Sequence, residues 1–300
     1  MRVRVRVPAS SANLGPGFDA LGLALSLHNE VILEEWDRVE VAVEGEGAGR
    51  LHGGARNVVA RGVALAFEAA GRRFPGAAIR CVNRIPLGRG LGSSAAAWVG
   101  GLVAGNALLG DPLERDALLS LAARAEGHPD NVAAALLGGL TVSCSTGDGV
   151  RAVTLPVPAG LVWVVLVPEI ESSTREARAV LPESIPRADA VFNVQRASLL
   201  VAALASGRPE LLGAAMEDRL HQPYRLRLFP WMEQVAKAAR EAGALGCVLS
   251  GAGPSMLAVT RGPGGAVEAA MVETLRASGI TGRALALAVD VQGTTVTCIP

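Results

Sequence analysis

A glycine-rich string between a strand and an alanine-rich helix constrains this chain more than any other feature. It runs Pro86, Leu87, Gly88, Arg89, Gly90, Leu91, Gly92, Ser93, Ser94, Ala95 and Ala96. The apolar segment 79–83 reads as a strand entering the string, and residues 93–109 read as a helix leaving it. Gly88, Gly90 and Gly92 allow the backbone to bend and approach a ligand closely. Ser93 and Ser94 stand where a helix N-terminus presents free N–H groups and a positive dipole end, which suits phosphate oxygens. Two familiar phosphate loops do not fit. A dinucleotide fingerprint starting at Gly88 needs glycine where Ser93 stands, and a Walker A loop needs a lysine after its last glycine. The sole lysine, Lys237, lies in a distant amphipathic stretch and reads as a solvated side chain.

Around this loop the chain alternates between strand and helix patterns. Residues 2–7 alternate arginine and valine, the period of a half-buried strand, and carry no apolar leader region. Segments 31–36 and 39–43 also read as strands. Asn57 is placed to cap a helix that stops at Gly71. Asp111-Pro112 predicts a helix restart with proline in the first turn, and a short helix follows Asp130. A strand is expected over 140–145. The prolines and glycine of 151–160 mark a soft boundary, and a buried strand follows over 161–167. Helices are expected over 174–180, 190–205, 209–218 and 231–242. Strands over 246–250 and 256–260 flank a Gly-Ala-Gly-Pro turn, and a last helix and strand finish the chain. Strands and helices mix without regular βαβ alternation, which favours α+β over a doubly wound sheet.

Composition removes several function classes. Lys+Arg and Asp+Glu are both 28, so no basic surplus exists for nucleic acid or an acidic membrane. Aromatics, at 3%, leave little for base stacking. The run 161–167 is far short of the roughly 20 residues a membrane span needs. Cys81, Cys144, Cys247 and Cys298 are scattered, with neither zinc nor disulfide spacing, and read as reduced cysteines of a cytoplasmic protein.

Two further motifs flank the loop. Residues 8–19 read Pro-Ala-Ser-Ser-Ala-Asn-Leu-Gly-Pro-Gly-Phe-Asp, with Asn13 and Asp19 as the polar positions. Residues 249–256 read Leu-Ser-Gly-Ala-Gly-Pro-Ser-Met, whose glycines allow close backbone packing. Each alone suits an ordinary turn. Together, in order and across essentially the whole chain, the three motifs resemble the kinase superfamily named for galacto-, homoserine, mevalonate and phosphomevalonate kinases. The N-L-G-x-G-F-D pattern, with no basic residue in that region, resembles its homoserine kinases.

The resemblance implies a two-domain α+β fold. The N-terminal domain, residues 1–155, would be like ribosomal protein S5 domain 2, and the C-terminal domain, 156–300, would be ferredoxin-like. ATP and Mg2+ are the implied cofactors, with ATP held by residues 86–96. Ser94 and Glu126 are the implied metal ligands, oxygen donors of the kind magnesium takes. Asn13, Glu126 and Asp130 are the implied catalytic residues. Asn13, Asp19, His128, Asn131, Thr174, Arg178 and Arg225 match substrate contacts. Asp19 would bind an ammonium and the two arginines a carboxylate, to which their planar fork is suited. Arg175 lies on the other side of the helix from Arg178. The implied reaction is in-line transfer of the ATP γ-phosphoryl group to the hydroxyl of L-homoserine, in threonine biosynthesis, by a cytoplasmic homodimer. Whether Asp130 serves as a general base is left open. So are two alternatives, a kinase of another small alcohol and a nucleotide-binding regulator without turnover.

Overall fold

The structure is a computed structural model that describes residues 2–299. The alternating N-terminal run forms β1 (Arg2–Asn13), with Val3, Val5 and Val7 fully buried and Arg2, Arg4 and Arg6 facing solvent. β2 (Gly17–Glu35) pairs antiparallel with it along its length. This strand is far longer than the 31–36 expected. Leu21, Leu23, Ala24 and Leu25 are all buried, so no alternation marks its first half. β3 (Val39–Gly45), α1 (Val58–Ala69) and β4 (Ala77–Asn83) form a parallel crossover unit, and the Asn57 side chain caps α1 as expected.

α2 (Ser93–Leu108) packs under the sheet against α1 and β1. α3 starts at Arg115, not at Asp111-Pro112 (Arg115–Glu126). Asp111 adopts a left-handed backbone (φ 60°) and its carboxylate accepts from Asn106 Nδ2 at 3.2 Å, so the Asp-Pro pair makes a turn. α4 (Asp130–Leu137) and the hairpin β5 (Leu140–Thr146) and β6 (Gly149–Leu155) complete the first half. The strand β6 occupies the first part of the expected boundary 151–160.

β7 (Leu161–Pro168) opens a second sheet, completed by β8 (Ala244–Leu249), β9 (Met256–Arg261) and β10 (Gly282–Leu287) in the order β10-β7-β9-β8. The helices are α5 (Thr174–Ala179), α6 (Arg187–Ala205), α7 (Leu212–Ala215), α8 (Gln222–Arg225), α9 (Met232–Glu241) and α10 (Gly265–Ala277). A further strand, β11 (Thr295–Ile299), follows β10. The helix expected over 209–218 breaks instead into a 3-10 turn (Pro209–Leu211) and the single turn α7. The Asp218 carboxylate accepts the N–H groups of Leu220, His221 and Gln222 and so organises the next turn.

Side-chain alternation lets the second sheet serve two cores. Val164 and Leu166 face the cluster with α9 and α10, while Trp163, Val165 and Val167 join the large core of the first sheet. The last strand, β11, returns to pair with β1. All four cysteines are free.

Candidate active site

The three motifs meet in one seam. Gly92 caps α2 in the left-handed region (φ 70°), and no side chain caps that helix, so its first N–H groups remain available. A Cβ on Gly92 would lie 2.0 Å from Ser10 Oγ, and one on Gly90 would lie 2.2 Å from the Ser250 carbonyl. These glycines are therefore required by contact with the other two motifs as well as by backbone conformation.

The loop's carbonyl oxygens are taken by the same neighbours. Ser255 N–H donates to the Arg89 carbonyl (3.1 Å), Ser250 Oγ to Gly90 (2.7 Å) and Ser10 N–H to Leu91 (3.1 Å). With its acceptors engaged, the loop offers its N–H groups to an anion. Asn13 ties the seam further: its Nδ2 donates to the Gly251 carbonyl (2.9 Å) and its Oδ1 accepts from Asp19 N–H (3.1 Å).

A cavity of about 190 Å3 opens on this seam. Asn13, Asp19, Ser94, Glu126, His128, Asp130, Asn131, Thr174, Arg178 and Arg225 all line it, as do Pro86 and residues 88–94. Leu87, Ala95 and Ala96 do not: the two alanines are buried in the core, and Leu87 lines a neighbouring cavity. Arg175 is also absent from the lining. Sequence reasoning left Ala12, Ser172, Ser173, Gly251, Ala252 and Gly253 out of the site. The glycine-rich turn 249–256 carried the signal for half of these.

The neighbouring cavity, about 240 Å3, shares Gly88, Ser93 and Ser94 with the first and is otherwise lined by groups such as Val43, Leu51, Asn57, Val59 and Cys81. Arg50 forms a paired contact with Glu171 (2.9 Å on each oxygen), and Arg89 of the loop lies 3.3 Å from the same carboxylate. These hydrogen bonds hold the Glu171 carboxyl down at about 2.

α3 ends and α4 begins at the acidic part of the site. Ser94 Oγ donates to Glu126 Oε2 at 2.7 Å. Burial pushes the Glu126 carboxyl above its ordinary range, with the Ser94 hydrogen bond opposing. His128 Nδ1 lies 2.8 Å from Asp130 Oδ1, which also accepts the Asn131 N–H at 2.7 Å. Burial alone would lower His128, but the hydrogen bond and charge of Asp130, with Glu126, outweigh it and raise the imidazole above its usual value. Asn131 Oδ1 in turn accepts from Ser10 Oγ (2.9 Å). Among the described residues no group of three His, Cys, Asp or Glu side chains is disposed to hold a metal alone. Ser94 and Glu126 supply two hard oxygens in contact, so a magnesium ion there would need phosphate or water oxygens as well.

The remaining part of the site is cationic. Ser173 caps α5 in a reciprocal box with Glu176, which sets Thr174 and Arg178 on the cavity. Arg178 donates to Asp19 from Nη1 and Nη2, at 3.0 and 2.5 Å. Asp19 and Arg178 were expected to hold separate ends of a substrate; here they hold each other, because opposite charges on a shared half-buried wall pair when they can. Arg225 is 1% exposed. Its Nε donates to the Ala177 carbonyl (3.1 Å) and its Nη1 to the Gly251 carbonyl (2.9 Å). Burial, and then the charge of Arg178, push the guanidinium down to about 10, still charged at neutral pH. The Phe18 ring lies beneath both arginines, 5.2 Å from Arg178 and 5.6 Å from Arg225.

Known proteins share this arrangement of sequence and fold. The family description "GHMP kinases N terminal domain" matches residues 57–139, and "GHMP kinases C terminal" matches residues 200–277. The homoserine kinase of Moorella thermoacetica is 48% identical over 92% of this chain and 93% of its own. That of Desulfitobacterium hafniense is 45% identical over 98% of this chain and 99% of its own. Among solved structures, homoserine kinase from Cytophaga hutchinsonii superposes with a TM-score of 0.89 at 36% identity, covering 99% of this chain and 97% of that one. Mevalonate kinase of L. major, at a TM-score of 0.68 and 18% identity, shares the fold alone. Matched along nearly its whole length by such relatives, the chain belongs to the homoserine kinases of the GHMP kinase family.

Proposed function

We propose that this protein transfers the γ-phosphoryl group of ATP to the side-chain hydroxyl of L-homoserine, giving ADP and O-phospho-L-homoserine. The observation that carries the reading is one cavity combining an uncapped helix N-terminus with a carboxylate and two arginines. The first suits phosphates, and the second suits the ammonium and carboxylate of an amino acid. The adjoining apolar cavity suits the base and sugar of the nucleotide. Asp19 and Arg178 would exchange their mutual pair for the substrate's ammonium and carboxylate.

Ser94 and Glu126 would hold Mg2+. The site fits it, because Glu126 is a carboxylate in a buried setting whose one hydrogen-bond donor is the Ser94 hydroxyl, a second hard oxygen in direct contact. When bound, the ion would neutralise phosphate charge. The chain's own residues then place the acceptor. Arg178 and Arg225 fix the carboxylate, and His128 and Asn131 stand beside the hydroxyl. Asn13 keeps the N-terminal turn against Gly251. In the direct in-line step the hydroxyl oxygen bonds to the γ-phosphorus as the bond to the β-bridging oxygen breaks, and the hydroxyl proton passes to the transferred phosphoryl group. Asp130 acts by holding His128 and Asn131, since its Oδ1 already accepts from both.

The same reading includes a place in threonine biosynthesis in the cytoplasm and division of the chain into units 1–155 and 156–300. The gap between β6 and β7 supports that division, while β11 ties the second unit back to the first sheet. It also includes a homodimer, supported by exposed Val191 and Val194 on α6. By length and composition α6 is the one helix among the described residues that could cross a membrane. Its Asn193, however, is buried and donates to Asp218.

A coupled ADP-release assay with ATP and Mg2+ tests the reading, offering L-homoserine, L-serine, L-threonine, mevalonate and shikimate in parallel. Turnover confined mainly to homoserine is expected. Stronger turnover of another alcohol would overturn the assignment of Asp19, Arg178 and Arg225, and ATP binding without turnover would favour a regulator.

A further inference from the structure

His221 is fully buried, does not line the cavity and has no part in the scheme above. Its Nε2 lies 2.8 Å from the Gly15 carbonyl oxygen. A carbonyl only accepts, so Nε2 carries the proton and Nδ1 presents a lone pair. Arg225 Nη1 donates to that lone pair at 3.0 Å. The ring is fixed further by Phe18, whose centroid is 5.3 Å away and tilted by 32°. Burial pushes the His221 imidazole down to about 4, opposed by the charge of Asp218, so the acceptor state persists at neutral pH.

Three of the five N–H groups of Arg225 are engaged. Nε–H goes to Ala177, and the two hydrogens of Nη1 go to Gly251 and His221. Nη2 has no hydrogen-bond partner among the described residues, and Arg225 lines the cavity. Without His221 one Nη1 hydrogen would be unpartnered, and the guanidinium could rotate about the bonds that the Ala177 and Gly251 carbonyls leave.

We infer that His221, held by the Gly15 carbonyl, is a positioning residue that aims the free edge of Arg225 at the α-carboxylate of the substrate. The inference deepens the kinase reading and rests on it. It links the N-terminal motif to substrate affinity through Gly15, whose packing is equally tight: a Cβ there would lie 2.2 Å from the Met216 carbonyl.

The test compares wild type with His221→Ala, His221→Gln and His221→Asn. L-homoserine and 3-aminopropan-1-ol serve as acceptors; the second has the same hydroxyl and ammonium but no carboxylate. The Asn side-chain oxygen can replace the Nδ1 acceptor, whereas Gln replaces only the donor to Gly15. His221→Ala and His221→Gln are expected to raise KM for homoserine about tenfold or more, the loss of one hydrogen bond to a charged group. Their kcat should stay within about threefold, with KM for ATP and kcat/KM for the carboxylate-free acceptor unchanged. His221→Asn is expected to recover most of the homoserine KM. Equal losses on both acceptors, or an unchanged homoserine KM in His221→Ala, would overturn the inference. Failure of the wild type itself to phosphorylate homoserine would instead overturn the kinase reading. Because the ratio between acceptors is read within each variant, partial loss of folded protein does not affect the outcome.

Discussion

The two ends of the cavity are built by different means. At the end proposed for the phosphates, the loop presents backbone N–H groups beside Ser94 and Glu126, and its shape is held by Ser250 Oγ on the Gly90 carbonyl, by the Ser10 N–H on the Leu91 carbonyl, and by the absent side chains of Gly90 and Gly92. At the end proposed for the amino acid the facing groups are side chains from three segments: Asp19 and Arg178, which pair with each other, and Arg225, held by the Ala177 and Gly251 carbonyls and by His221. A backbone site tolerates changes of side-chain chemistry but not of shape. A side-chain site tolerates small changes of shape but not of the charged fork that recognises the ligand.

Arg225→Lys is the most severe way to probe that contrast. It keeps the charge and loses the planar fork in a buried position, so kcat/KM for homoserine should fall about 1,000-fold, with KM for ATP little changed. Steady-state kinetics with each substrate varied in turn would show it. A similar loss for both substrates would mean that the two ends are not separate. Gly90→Ala is the converse change, a methyl group with no chemistry. Its Cβ meets the Ser250 carbonyl and its backbone is left-handed (φ 74°), so about 2 kcal/mol of stability should be lost. Urea melts would report the stability loss. KM for ATP should rise more than KM for homoserine.

How much of this was legible in the sequence follows the same division. The phosphate end is one contiguous string with a strand before it and a helix after it, so its composition and order could be read directly. The contacts that require Gly90 and Gly92 come from residues far along the chain, and no local pattern announces them. The amino-acid end was reached only through resemblance, because Asp19, Arg178 and Arg225 are solitary charges in a chain with many arginines. The Asp19–Arg178 pair joins residues 159 apart, and the His221–Gly15 bond residues 206 apart. In the fold, the buried first half of β2 shows no period, so the pattern reveals only its end, and Asp111-Pro112 matches a helix start although its left-handed Asp makes a turn. Burial of consecutive residues hides the strand's first half, and in the turn local hydrogen bonds of Asn106 with Asp111 and Leu113 override the helix signal.

Asp130→Ala sharpens the comparison where the two ends meet. The residue holds His128 and Asn131, so kcat should drop less than about tenfold, against the 10²–10⁴-fold expected on losing a general base. A drop in that larger range would show Asp130 taking the hydroxyl proton.

The smallest effect is expected at the Arg50–Glu171–Arg89 contact beside the loop. The folded carboxyl of Glu171 sits near 2, below its ordinary 4.5, so its stabilising contribution is fully present above pH 4.5 and is lost as pH falls toward 2. Thermal melts of wild type and Glu171→Gln should therefore differ slightly at pH 6 and converge near pH 2. The difference should shrink in high salt, because the pair is exposed. A difference that persists into acid would mean that the side chain acts through packing.

The most direct test of the account is 31P NMR of a reaction containing the purified protein, ATP, Mg2+ and L-homoserine. The account predicts that ATP is converted to ADP only when homoserine is present, with one equivalent of a phosphate monoester on homoserine appearing for each ADP. ADP formation indifferent to homoserine, or accompanied by inorganic phosphate instead of the ester, would contradict it.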